Sequence, residues 1–191
     1  MKINEIIRKM SFLQLVPLKS DEGAPLANKT KVKIILNLVA YERAMESFNE
    51  DMRGIYAKLK PEGYDAQAFP RVNELEKKEN ISNEEKQELE SIKQSEKYLS
   101  YVDMKKTLMR EFEEARECAS ADNDYTVSER ALTDDDLVSI AEVIPTDKEF
   151  AIGKNEDGEI KVNGITVLAE IGRMFITVSY THLTLPTNRE V

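Results

Sequence analysis

Histidine is the side chain best suited to general-base, triad and metal-ligand work near neutral pH, and this chain has a single one, His182. The one cysteine, Cys118, has no histidine partner to activate it and is expected as a small apolar residue late in a helix. Carboxylates are the remaining candidates. Asp134, Asp135 and Asp136 are consecutive, but successive helical positions point about 100° apart and cannot converge on one cation. Compensation of the positive helix end accounts for them better. Asp122-Asn123-Asp124 and Asn155-Glu156-Asp157-Gly158 have the composition of calcium loops. The first lacks the loop's central glycine, and the second would put Gly153 where an aspartate belongs and Gly164 where the closing glutamate belongs. Both read as turns. Lys29, Lys31 and Lys33 lack interleaved aromatics and read as a solvated face rather than a phosphate-binding patch. Tyr98 and Tyr101 read as packing residues rather than a stacking platform.

The chain contains no P-loop, dinucleotide-binding glycine motif, CxxC pair or nucleophile elbow. No catalytic residue, cofactor or metal site is therefore expected. The enzyme or metal-binding alternative needs Glu113, Glu114, Glu117, Asp122 and Asp124 to converge in the fold.

Charge narrows the partners. The net charge is −9, which disfavours nucleic acid and membrane surfaces, both anionic. Lys2 is not followed by the uninterrupted apolar core of a signal peptide, and no apolar run approaches the ~20 residues that span a bilayer. A single cysteine excludes an intramolecular disulfide and fits a reducing compartment. The expectation is a cytoplasmic protein whose partners are proteins, its own copies included.

The elements that must position any site are mostly helical. Ile3, Ile6, Ile7, Met10 and Leu13 fall on one face of a short helix that stops by Pro17. A second helix starts near Asn28 and carries Ile34, Leu38, Tyr41, Met45, Phe48, Met52, Ile55 and Leu59 in alternating steps of four and three. An unbroken apolar seam of that period is a coiled-coil-type signal. Lys60-Pro61 and Gly63 end the helix, and residues 61–81 form a connection with room for a helical turn over 72–78. Ser82 and Glu85 make a capping box, from which a third helix is expected to run unbroken to about Ala119, with Glu74 to Glu90 an ordinary solvated surface. Thr133 caps a fourth helix, entered through Leu132 and Asp134 to Asp136 and closed by Pro145. Phe150-Ala151-Ile152 reads as a strand, and Asn163-Gly164 between two alternating runs reads as a type I′ hairpin turn, the start of a small meander.

A lone helix with such a seam would be marginal and prone to association. The seam is expected to pack against the helix over 82–119, folded back antiparallel, or against the same helix of another copy. These readings give a mainly α chain with a small C-terminal antiparallel β meander (α+β), built on a long helical hairpin. The expected divisions are residues 1–119, 120–176 and 177–191.

Two resemblances complete the reading. The last fourteen residues, VSYTHLTLPTNREV, resemble the translation of a transposase-type sequencing adapter. That implies a non-native tail over 177–191, a truncated C-terminus, and the removal of His182 from any site. The Asn28-Lys29-Thr30-Lys31 helix opening, the acidic middle and the Leu132-Thr133-Asp134-Asp135-Asp136-Leu137 entry resemble, over residues 28–144, small uncharacterised helical phage and prophage proteins. The resemblance implies a helical accessory or morphogenesis factor and carries over no functional residues.

Overall fold

A computed structural model of the chain describes residues 1–155 and 158–176. The tail over 177–191, with His182, and the Glu156-Asp157 turn lie outside the described residues. Among those described, seven helices and one two-stranded antiparallel sheet occur, the sheet near the C-terminus. None of the helices is long and apolar enough to cross a membrane. Two compact units emerge among the described residues: one of Ile3–Ala44 with the described part of 126–176, the other of Met45–Tyr125. Helix α2 (Asn28–Leu59) supplies residues 28–44 to the first and 45–59 to the second.

The first unit is organised on α7 (Gly164–Phe175), which packs against α1 (Ile3–Gln14), α6 (Asp134–Ala141) and strand β2 (Gly158–Asn163). Val167, Ile171 and Phe175 recur at four-residue steps and are all buried, as a helix with one apolar face requires. Ile3, Ile6, Phe12 and Leu13 of α1 and Ile140 of α6 complete this core. The face of α1 is turned slightly from the expected one, with Ile7 exposed and Phe12 buried. Thr133 caps α6 as expected, in a capping box closed by Asp136.

The Asn163-Gly164 turn is a correction. The hairpin is formed one element earlier, by β1 (Glu149–Asn155) against β2, in a register that pairs Glu149 with Asn163 and Asn155 with Gly158. Gly158 has φ +129°, a conformation side-chained residues avoid. Asn163 is instead the N-cap of α7: its side-chain oxygen accepts from the Thr166 amide at 2.9 Å. Residues 165–168 are therefore helical, and the expected meander is a single hairpin followed by a helix. Asn-Gly is compatible with a tight turn, but Val167, Ile171 and Phe175 continue a helical period that extends beyond the four-residue window carrying the strand reading.

In the second unit, α3 (Pro70–Lys77) fills part of the 61–81 connection, with Pro70 in its first turn, where a missing N–H costs nothing. The third helix is not continuous: it is α4 (Asn83–Gln94) followed by α5 (Glu96–Asp122). Ser95 sits between them in an extended conformation, φ −66°, ψ 140°. Its hydroxyl donates to the Ile92 carbonyl at 2.6 Å and accepts from the Tyr98 amide at 3.3 Å. One serine thus closes one helix and opens the next, which apolar periodicity alone does not register. Ser95→Ala should lower stability by about 1 kcal/mol; an unchanged urea midpoint would show that the break does not depend on this cap.

Residues 74–90 are largely exposed and carry ion pairs across their surface. Arg71 donates to both oxygens of Glu88, at 3.1 and 3.0 Å, and to Glu74 at 3.0 Å, while Lys93 pairs with Glu76 at 2.7 Å. The Glu88 and Glu76 pairs join α3 to α4. Lys78 and the Ser82 amide together hold the Glu85 carboxyl below the usual carboxylate range.

Candidate functional site

The first unit holds a closed polar cluster. Asp136 is 2% exposed. It accepts from Thr30 Oγ1 at 2.8 Å, from the Thr133 amide at 2.8 Å and hydroxyl at 2.8 Å, and from Lys33 Nζ. Burial opposes ionisation, but these donors outweigh it and hold the Asp136 carboxyl far below the ordinary carboxylate range. Asn37, fully buried on the next turn of α2, donates to the Arg130 carbonyl at 2.9 Å and accepts from the Arg130 amide at 2.6 Å. The Ala27 amide donates to Ser139 Oγ at 3.1 Å. Together they stitch residues 27–37 to α6 and the segment that leads into it.

A second cluster centres on Lys9, which is 8% exposed. Its Nζ contacts Glu129 at 2.9 Å and Glu5 at 3.4 Å, and lies 5.2 Å from the centre of the Phe175 ring. Tyr41 is buried, and among the described residues no partner lies within hydrogen-bond geometry of its hydroxyl. Burial, aided by the Glu129 charge, pushes its ionisation well above the usual phenol range.

Lys33 corrects the reading of residues 29–33 as a solvated face: Lys29 is exposed, but Lys33 is half-buried against Asp136. Asp136 is likewise more than dipole compensation, whereas Asp134 and Asp135 remain exposed. The sequence did hold a signal. Thr30, Lys33 and Asn37 recur at helical spacing on the side of α2 that also bears Ile34 and Tyr41, and polar residues among buried apolar ones must find partners.

The seam itself is inside the units. Ile34 and Tyr41 are buried in the first and Phe48 and Met52 in the second, while Leu38, Met45, Ile55 and Leu59 are half-buried. In the second unit Phe48 meets Tyr125 edge-on at 5.9 Å, and Tyr56 meets Phe112 edge-on at 5.4 Å. Tyr98 and Tyr101 join Tyr64 and Phe69 in an aromatic cluster. Tyr64 stacks on Tyr101 at 5.6 Å, and Phe69 meets Tyr98 edge-on at 5.1 Å.

Glu113 pairs with Arg116 at 3.2 Å and Glu114 approaches Arg110 at 4.0 Å, while Cys118 is exposed on α5. Among the described residues no group of three or more histidine, cysteine, aspartate or glutamate side chains is placed to hold a metal ion. The open surface is instead apolar in places. On α2, Val32, Ile35, Leu36 and Val39 are 37–54% exposed, and on α5, Leu99, Val102 and Met109 are 38–55% exposed. Both rows have helical spacing. Comparison with protein-family models, with curated proteins and with solved structures found no match.

Proposed function

We propose that this chain is a non-enzymatic helical interaction or assembly protein, in which α2 and α5 form an antiparallel hairpin that stiffens the second unit. The hairpin is supported by the order of the ring contacts: Phe48 meets Tyr125, Tyr56 meets Phe112 and Tyr64 meets Tyr101, so one partner advances as the other recedes. The observation that carries the interaction reading is the pair of exposed apolar rows, Val32 to Val39 on α2 and Leu99 to Met109 on α5. Apolar residues repeated along one helix face are retained at a cost in solubility and mark surfaces that other proteins cover.

The test is in-cell crosslinking with a photoreactive amino acid at Leu36 or Val102, and at the exposed polar positions Glu50 and Lys105 as controls. Covalent protein adducts should form at the two apolar positions and not at the controls. Equal yields at all four positions, or none, would remove the interaction reading. Calorimetric titration of the purified chain with Mg²⁺, Mn²⁺ and Ca²⁺ should give no saturable heat; stoichiometric binding would put a carboxylate metal site in its place.

A further inference from the structure

Asn163-Gly164 is the one Asn-Gly pair in the chain, and in such a pair the backbone can attack the asparagine side chain. Glycine sets no side chain beside its own nitrogen, so that nitrogen can reach the asparagine Cγ with little hindrance. The fold keeps the glycine in place, because a Cβ at 164 would run into the Pro145 carbonyl oxygen. In the folded chain three contacts hold the reaction off. Asn163 Oδ1 accepts from the Thr166 amide at 2.9 Å and from its hydroxyl at 2.8 Å, which fixes the carboxamide over the first turn of α7. The Gly164 N–H donates to the Lys148 carbonyl at 3.1 Å, and Gly164 is buried. Asn163 has ψ 166°, which leaves its Cβ far from eclipsing the Gly164 nitrogen, as closure of a five-membered ring requires.

We propose that Asn163 is a site of spontaneous deamidation gated by the first turn of α7, and that its isoaspartyl product keeps that turn from closing again. When the turn opens, the Gly164 nitrogen loses its proton to solvent and bonds to Asn163 Cγ. The bond from Cγ to the carboxamide nitrogen breaks, and that nitrogen takes up a proton and leaves as ammonia. Water then opens the resulting succinimide. Cleavage between Cγ and the Gly164 nitrogen gives aspartate; cleavage at the Asn163 backbone carbonyl gives isoaspartate. The two products differ mechanically. Aspartate keeps the backbone and remains a good cap, with its charge at the positive end of the helix. Isoaspartate carries the backbone through the side-chain methylene, adding a carbon just where β2 ends and α7 begins. The added atom removes the cap and shifts the Gly164 amide away from Lys148, next to the Glu149–Asn163 pair of the hairpin. The hairpin is thereby uncoupled from the helix that carries Val167, Ile171 and Phe175 into the core. Local opening is reversible, whereas conversion is not, so the chain accumulates a record of its openings.

Peptide mapping by mass spectrometry reads the reaction. Trypsin releases residues 162–173 with Asn163 as their one asparagine, so the amide-to-acid mass change in that peptide is specific to the site. Isomerisation at Asp157-Gly158 falls in another peptide and changes no mass. The full chain is incubated in mildly alkaline buffer with and without denaturing urea, and the aspartyl and isoaspartyl forms are separated by chromatography. In urea Asn163 should be the first asparagine converted. Without urea its conversion should be slower by about tenfold or more, because only the opened fraction reacts. Full chain carrying isoaspartate at 163 should unfold at lower urea than unreacted chain, whereas Asn163→Asp should keep the native midpoint. Another asparagine converting before Asn163 in urea overturns the site. Equal rates with and without urea overturn the gate. An isoaspartyl chain as stable as the unreacted one, or an Asn163→Asp chain as weak as the isoaspartyl one, overturns the block to reclosure.

Discussion

Asp136→Ala should cost about 3–5 kcal/mol of folding stability, the loss seen when one partner is taken from a buried ion pair. The carboxylate holds together elements far apart in sequence: Thr30 and Lys33 on α2, and the Thr133 cap that starts α6. Its removal leaves the Lys33 ammonium partly buried with no counter-charge and opens the capping box. Urea denaturation followed by circular dichroism measures the loss, and a change below about 1 kcal/mol would show that the cluster relaxes onto water at little cost. Lys33→Met should cost less than Asp136→Ala, since Thr30 and Thr133 still donate to the carboxylate. The double variant should be less damaging than the sum of the singles, by on the order of 1 kcal/mol or more, because the two side chains act as one interaction.

The same cluster sets an acid response. The folded-state pKa of Asp136 lies below its unfolded value of roughly 3.9. The ionised carboxylate therefore contributes its full stability above that unfolded value. The contribution drains away as pH falls below about 4 toward the folded pKa. Native protein and Asp136→Asn should differ most near neutrality and converge as the solution is acidified through that window. A gap of constant size from pH 7 to pH 3 would assign the effect to shape rather than to charge.

How far the sequence carried depended on whether a signal was local and periodic. The two long amphipathic stretches, the capping box at Ser82, the cap at Thr133 and the strand through Phe150 to Ile152 follow from spacing within a turn or two of chain. The break at Ser95 was hidden because the apolar positions of α4 and α5 continue across it, while a single hydroxyl decides the matter. The Asp136 cluster joins residues 103 and 106 positions apart, and nothing in a window of the chain encodes that pairing beyond the presence of Thr30, Lys33 and Asn37 on an apolar side. The exposed row from Val32 to Val39 was present in the sequence but masked by the seam interleaved with it. Only burial separates the apolar residues that fill a core from those that remain on the surface.

The misread Asn163-Gly164 pair leads to the other large effect, Gly164→Ala, which should destabilise the first unit by about 2–4 kcal/mol. A Cβ at this position would stand 2.0 Å from the Pro145 carbonyl oxygen and 2.9 Å from both the Pro145 carbonyl carbon and Ile144 Cγ2. Two of those atoms are backbone, so no rotamer change relieves the contact and the start of α7 must move. That movement is transmitted to Val167 and Ile171, both fully buried a turn or two further on, and close-packed interiors tolerate such shifts poorly. Helix propensity argues the other way, by about 1 kcal/mol in favour of alanine, and is too small to compensate. Gly172 supplies the control on the same helix. Among the described residues a Cβ there would meet only Leu137 Cδ2, at 3.4 Å, the end of a side chain that can turn aside. Gly172→Ala should therefore leave stability unchanged or raise it by up to about 1 kcal/mol. Asn163→Ala, which removes the cap but adds no atom beside Pro145, should lose only about 1 kcal/mol. Thermal and urea unfolding of the three variants test this order. Were Gly164→Ala to match Asn163→Ala, the helix start would be free to slide, and position 164 would not require glycine.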